Sequence, residues 1–331
     1  MDLGQFLREW NSDSPTVMVR TSGSTGTPKP MRVEKERMRA SARITCDFLG
    51  LKAGDTALLC LPLDYIAGKM LVVRALERHM RLLSVPPSAH PLERMATAHL
   101  DFAAMVPLQV VESLKVPRER EKLRAIRHLI IGGGAIDEQL AMQLRDFPHA
   151  VWSTYGMTET LSHIALRRLN GRGCSEWYTP FSTVSVDVDA RGCLVIDAPL
   201  VCPSRLATND RAEIASDRRR FRILGRIDNV IDTGGIKVQM EVVEEMLKPH
   251  LEDFFIVTKK KDPRFGEIVA LLTESHRLGR VQEICDRVIF NRFMRPRLIV
   301  HIDRVPLTAT GKPARAEAAK WLEQQGKMIE R

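Results

Sequence analysis

From residue 56 to residue 153 the chain repeats one pattern: a short apolar run, a helix-like stretch, then another apolar run. Few folds accept that rhythm. Strands that alternate with helices pair as parallel neighbours joined by crossovers, so the pattern implies a mainly parallel sheet with helices on its faces. Residues 56–61 (TALLCL) read as a buried strand and 68–80 as an amphipathic helix behind it. A second strand follows at 81–85. Another, 128–131, runs into Gly132, Gly133 and Gly134, after which Asp137 caps a helix over 137–145. Residues 150–153 form a further strand ahead of Tyr155 and Gly156.

The texture changes after about residue 170. Alternating runs at 183–188, 193–197 and 221–224 lie close together between Gly, Pro and Asp turns, which predicts a small antiparallel unit. Beyond Gly225 the reading is a helix at 241–247, strands at 254–258 and 268–273, a helix at 281–290 and a strand at 298–302. That is a second, smaller α/β domain. With 331 residues the chain has room for two cores, and the expected division is 1–225 and 226–331.

Lys and Arg outnumber Asp and Glu by 50 to 41, but the basic residues are scattered. The excess suits an anionic small molecule as well as it suits nucleic acid. Aromatics at 5% argue against a base-stacking surface, and no nucleic-acid partner is expected. The most apolar stretch, 57–73, is interrupted by Asp64 and Lys69, so no membrane association is expected either. The first residues, MDLGQFLREW, carry no secretory pattern, and six cysteines show no CxxC pair. Reduced thiols and a cytoplasmic protein are the expectation.

The segment TSGSTGTPK, with Thr21, Ser22, Gly23, Ser24, Thr25, Gly26 and Lys29, carries the strongest chemistry. Small residues let backbone N–H groups converge, hydroxyls add donors, and the lysine adds charge, which together make an anion nest. The plainer reading is a flexible Ser/Gly linker. Against it, apolar 17–19 and 31–33 flank the segment as strands would. It lacks the Gly-Lys-Ser/Thr ending of a Walker A loop, and the three glycines at 132–134 do not extend to GxGxxG.

TSGSTGTPK resembles the phosphate loop of the adenylate-forming superfamily of acyl-CoA synthetases, adenylation domains and luciferases. Further blocks follow in that family's order: LPLDYIAG at 61–68, IGGGA at 131–135, YGMTET at 155–160, Thr208-Asn209-Asp210, GRID at 225–228, and PLTATGKPAR at 306–315. The resemblance implies a two-step acid–thiol ligase using ATP, Mg²⁺ and coenzyme A, acting on a small carboxylic acid. It implies that Glu159 holds the metal, that Thr158 and Thr154 meet phosphate oxygens, and that Gly132, Gly133, Gly134, Ala135, Tyr155 and Gly156 frame the adenine. Asp210 then takes the ribose hydroxyls and Arg226 bridges ribose and phosphate. Lys312 becomes the catalytic cation of a lid that turns about Asp228, bringing Gly234 and Gly235 to a pantetheine channel. From the residues alone, Glu159 is a surface carboxylate, Asp210 a turn former, and Gly234-Gly235 a tight turn as readily as a channel.

Two features depart from the family pattern. Pro30 follows Lys29 where a glycine is usual, and the loop begins at residue 21 where relatives carry a long preceding subdomain. Either the core stands alone with altered surfaces or a second subunit covers it, so a homo-oligomer stays open. LPLDYIAGKM and YGMTETLSHIALR are most similar to the branch of the family that activates an aromatic dicarboxylate. For the acid that similarity singles out Tyr65, Lys69 and His163, with Arg167 as a further cation. The alternatives are adenylation of another acid or of a carrier-protein substrate, and a non-catalytic nucleotide-binding relative.

Overall fold

In the computed structural model the described residues are 1–20, 30–95, 99–308 and 313–329. The chain divides into two compact units. Of the described residues, 1–20, those within 30–208, and 213–222 make the first; 209–212 and those from 223 onward make the second.

The first unit opens with α1 (Leu3–Asn11), whose start is fixed by a capping box: Asp2 accepts from the Gln5 N–H, and the Gln5 side chain accepts from the Asp2 N–H. Phe6 and Trp10 face inward. β1 (Thr16–Arg20) and β2 (Pro30–Glu34) pair antiparallel, and α2 (Lys35–Leu49) follows, ended by Gly50 at φ +65°. Then come β3 (Thr56–Leu59), α3 (Ile66–Glu77), β4 (Arg81–Ser84), β5 (Leu100–Met105), α4 (Pro107–Lys115), α5 (Pro117–Arg124), β6 (Ile126–Ile131) and α6 (Glu138–Leu144). β7 (Ala150–Gly156), β8 (His163–Arg168) and β9 (Thr179–Pro180) complete a seven-stranded sheet in the order β4-β3-β5-β6-β7-β8-β9. Its first five strands are parallel and the last two antiparallel. Every residue of β3 and β5 is buried, as strands covered on both faces must be.

A four-stranded sheet follows in the order β10 (Ser185–Val188), β11 (Cys193–Asp197), β12 (Leu206–Ile214) and β13 (Phe221–Arg226). The chain changes unit within β12 and β13. The second unit continues through β14 (Val230–Thr233), β15 (Ile236–Gln239), α7 (Met240–Leu247), β16 (Phe255–Asp262), β17 (Gly266–Thr273), α8 (Leu278–Val288), β18 (Leu298–His301) and α9 (Arg315–Ile329). Its sheet runs β15-β14-β17-β16, with β18 parallel to β17. Ile231, Val243, Val257 and Leu271 fill one side of it, and Ile256, Leu272 and Ala318 the other.

The mixed architecture predicted from the sequence, parallel sheet, antiparallel unit and smaller α/β unit, is the one observed. Individual elements differ. β16 continues through Lys259, Lys260 and Lys261 because each pairs with a residue of β17, and Lys259 also reaches Glu267 of that strand at 2.8 Å.

Candidate active site

The first unit gathers its candidate groups at the carboxyl ends of β6 and β7, where open parallel sheets place ligands. Gly132 ends β6 with its N–H bonded to Met105 O at 3.0 Å, and a Cβ there would overlap the Thr154 hydroxyl on β7. Gly133 follows at φ +80°. Gly132 and Thr154 are thus neighbours although they are 22 positions apart in sequence. Tyr155 packs edge-on to Phe221 at 5.2 Å and lies 5.8 Å from Tyr178, which holds its ring in an aromatic cluster.

The YGMTET block turns sharply after β7. Gly156 is required there: an added Cβ would collide with Ser162 O and His163 Cα where the chain doubles back into β8. Thr160, fully buried, holds the turn. Its hydroxyl accepts from the Met157 N–H at 3.1 Å and donates to Ser162 O at 2.7 Å, while the Leu161 N–H donates to Thr158 O at 2.9 Å. Leu161 pays for this with φ +64°. Thr158 is buried, whereas Glu159 projects outward, exposed and without an ion pair among the described residues. A solitary, hydrated carboxylate fits Mg²⁺, which keeps most of its waters and shares phosphate oxygens. Among the described residues no group of three or more His, Cys, Asp and Glu is placed to hold a metal ion.

The second unit brings together Asp210 and Arg226. Arg226 Nη1 donates to Asp210 Oδ1 at 3.1 Å, and its Nη2 donates to Asp228 Oδ2 at 2.8 Å. Asn209 Nδ2 also reaches Asp228, at 3.2 and 3.3 Å. Gly234 and Gly235, at φ +61° and +82°, form the two-residue turn of the β14–β15 hairpin, the conformation such a hairpin demands.

The groups singled out for the acid are placed differently from that expectation. Lys69 is 2% exposed on α3, donates to Met18 O at 2.5 Å, and lies 3.7 Å from Glu9, with Phe6 beneath it. Burial lowers its pKa and Glu9 opposes the shift. His163 is also buried, with Nε2 at 3.1 Å from Thr45 Oγ1 and Nδ1 at 3.2 Å from Ser162 Oγ. Desolvation, then the charge of Arg74, holds its pKa well below the usual value, so it is neutral. Both side chains are taken up by the interior. Tyr65 is the residue preceding α3 and is half-buried, bridged to Arg20. Arg167 stacks over Tyr178 at 5.4 Å.

Residues 5–192 match the family described as AMP-binding enzyme. The chain belongs to that family. It is 26% identical over 282 residues to a 2-succinylbenzoate–CoA ligase of Haemophilus influenzae, covering 80% of this chain and 61% of that protein. With the Escherichia coli ligase of the same description it shares 27% identity over 341 residues, 97% of this chain and 72% of that one. An acyl-CoA synthetase/AMP-acid ligase II-like structure from Dyadobacter fermentans aligns at TM-score 0.64 and 33% identity, covering 95% of this chain and 91% of the other. The Bacillus subtilis o-succinylbenzoate coenzyme A synthetase, solved with ATP and magnesium ion, has the same fold at TM-score 0.75 and 21% identity, covering 91% and 69% of the two chains.

Within this family frame, Thr21, Ser22, Gly23, Ser24, Thr25, Gly26 and Lys29 lie outside the described residues, as does Lys312. The last residue of the PLTATGKPAR block is described: Arg315 pairs with Glu244 of α7, tying the start of α9 to that helix. One residue escaped the sequence reading. Arg74 on α3 is 2% exposed, donates to Ser162 Oγ at 2.5 Å, and has no carboxylate partner among the described residues. Nothing in an apolar helix run marks such an arginine; only its burial beside Ser162 and His163 does.

Proposed function

We propose that this chain is an ATP- and Mg²⁺-dependent acid–CoA ligase. The carboxylate of the acid attacks the α-phosphorus of ATP and expels pyrophosphate. The thiol of coenzyme A then attacks the acyl carbon and expels AMP, leaving a thioester. The acid proposed is o-succinylbenzoate, which assigns the protein to menaquinone biosynthesis.

The observation that carries the reading is the turn at residues 157–162. Thr160 and the strained Leu161 hold it so that Glu159 stands exposed just beyond β7, the strand whose Thr154 packs closely against Gly132 at the end of β6. Bound Mg²⁺ would neutralise phosphate charge, and Glu159 would hold it with Thr158 and Thr154 directed at the phosphates. Residues 132–135 and Tyr155 would frame adenine. Asp210, oriented by Arg226, would accept from the ribose hydroxyls. The phosphate loop at 21–29 would cradle the β- and γ-phosphates. Lys312 would bridge the α-phosphate and the acyl carboxylate, two anions that otherwise repel. The lid turning about Asp228, and the passage of pantetheine by Gly234 and Gly235, belong to the same proposal.

The deciding experiment is pyrophosphate release across a panel of carboxylic acids, with and without coenzyme A. Release confined to o-succinylbenzoate, with AMP release accelerated by coenzyme A, is expected. Release with a different acid overturns the substrate. Indifference to coenzyme A overturns the ligase reading in favour of carrier-protein loading, and no release with any acid overturns the activity.

A further inference from the structure

The first unit holds a cavity of about 780 Å³ that none of the residues assigned above lines. It lies against β9, β10 and the β12–β13 turn, with Phe181 and Val195 as apolar wall and the Ser182 and Ser185 hydroxyls beside them. The volume is that of a small-molecule site. Three arginines line it, Arg205, Arg218 and Arg219.

The turn is built to place two of these. Ala215 N donates to Arg220 O and Arg218 N to Ala215 O, each at 2.8 Å. Asp217 accepts from the Arg219 N–H at 2.9 Å and from Arg220 Nε at 3.1 Å, so Arg220 is spent on the turn itself. Arg218 sits at φ +54°, a conformation unfavourable for a residue with a Cβ. Arg219 makes no ion pair among the described residues, and the Asp217 carboxylate of the same turn acts on its guanidinium only through charge.

The compensating charge is incomplete. Asp187 lies 3.6 Å from Arg218 and 3.9 Å from Arg205, too far for a good hydrogen bond to either. Asp197, the other carboxylate in the lining, makes no ion pair among the described residues. Three cations thus face two acids, only one of them loosely engaged. Guanidinium forks match phosphate oxygens two at a time, and a dianion satisfies more of these donors than a monocarboxylate can.

We propose that this cavity binds a small phosphomonoester, its phosphoryl group among Arg205, Arg218 and Arg219 and its carbon portion against Phe181 and Val195. The site is separate from the adenylation reading and stands without it.

Isothermal titration with phenyl phosphate, inorganic phosphate and benzoate tests this on the full chain. Phenyl phosphate is expected to bind, with inorganic phosphate about tenfold weaker for want of the apolar contact and benzoate weaker still. Arg219→Glu, at an exposed turn position, is expected to weaken phenyl phosphate at least about tenfold. Asp187→Asn removes the carboxylate that competes for the same guanidinium groups and is expected to tighten binding severalfold, a gain that misfolding cannot mimic. The proposal falls if phenyl phosphate gives no saturable heat up to about 10 mM, if Arg219→Glu leaves its affinity unchanged, or if Asp187→Asn does not tighten it. Equal affinity for inorganic phosphate overturns the ester assignment, and equal affinity for benzoate overturns the phosphoryl one.

Discussion

Arg74 and His163 lie together in the interior, and each has a measurable signature. Burial pulls the Arg74 guanidinium down to about 10, so it remains charged at neutral pH with Ser162 as its described partner. A buried cation without a carboxylate costs stability, and an unbranched, flexible apolar side chain in its place removes that cost. Arg74→Met is therefore expected to raise the unfolding free energy by about 1–3 kcal/mol, read by thermal and chemical denaturation. A melt that moves downward would mean the charge is compensated. For His163 the sign is the reverse of a salt-bridged histidine. Its folded pKa lies well below the unfolded 6.5, so the unfolded chain binds the proton first. Stability is complete above pH 6.5 and falls as the pH drops below that value, by up to about 1.4 kcal/mol per unit. His128, lowered by burial and by Arg127, adds in the same direction. Chemical denaturation between pH 7 and 5 should show this loss, and His163→Gln should flatten it.

At the scale of elements, the β7–β8 connection and the docking of α9 are the two places where one change should propagate. Gly156 has Ser162 O and His163 Cα in the space of a Cβ, and both are backbone, so nothing flexible can move aside. Gly156→Ala is expected to cost at least about 2 kcal/mol and to displace Glu159, lowering activity more than the melting temperature alone accounts for. In the second unit, Arg315 of α9 pairs with Glu244 of α7, which also accepts from the Val257 N–H at 2.9 Å. Desolvation raises the Glu244 pKa, with Arg315 the main opposing influence. Arg315→Ala leaves that carboxyl buried and unpaired, at a cost of about 3 kcal/mol. Because the folded pKa then rises further, stability is retained at low pH and lost as the pH climbs through it. The deficit should be larger at pH 7 than at pH 5, and Glu244→Gln in the same chain should restore part of it.

On the scale of the whole molecule, the proposed reaction divides its labour between two compact units, and Lys312 tests that division. Lys312→Ala is expected to slow acyl-adenylate formation by a factor on the order of 10² to 10³, while thioester formation from supplied acyl-adenylate continues. Equal loss of both steps, read by pyrophosphate and thioester assays, would count against the assigned role. The parallel sheet was legible in the sequence because strands buried on both faces read as short unbroken apolar runs, as 57–59 and 129–131 do. β5 escaped that test. Asp101 breaks its run, and only the fold supplies the Thr56 N–H at 2.8 Å and the Arg127 guanidinium at 3.5 Å that make a buried carboxylate tolerable. Motif blocks likewise identified the turn that carries Glu159, since its glycine and threonines act on neighbours a few residues away. What the sequence by itself determined is therefore whatever depends on local spacing: the strand–helix rhythm, the tight turns and the order of the blocks. Tertiary structure alone decided which charged and polar side chains stay exposed and which are absorbed. Lys69, His163 and Arg74 look alike as polar residues in apolar surroundings, and their fates differ because Glu9, Thr45 and Ser162 reach them from distant parts of the chain. Desolvation depends on every neighbour at once, and one-dimensional spacing does not encode it.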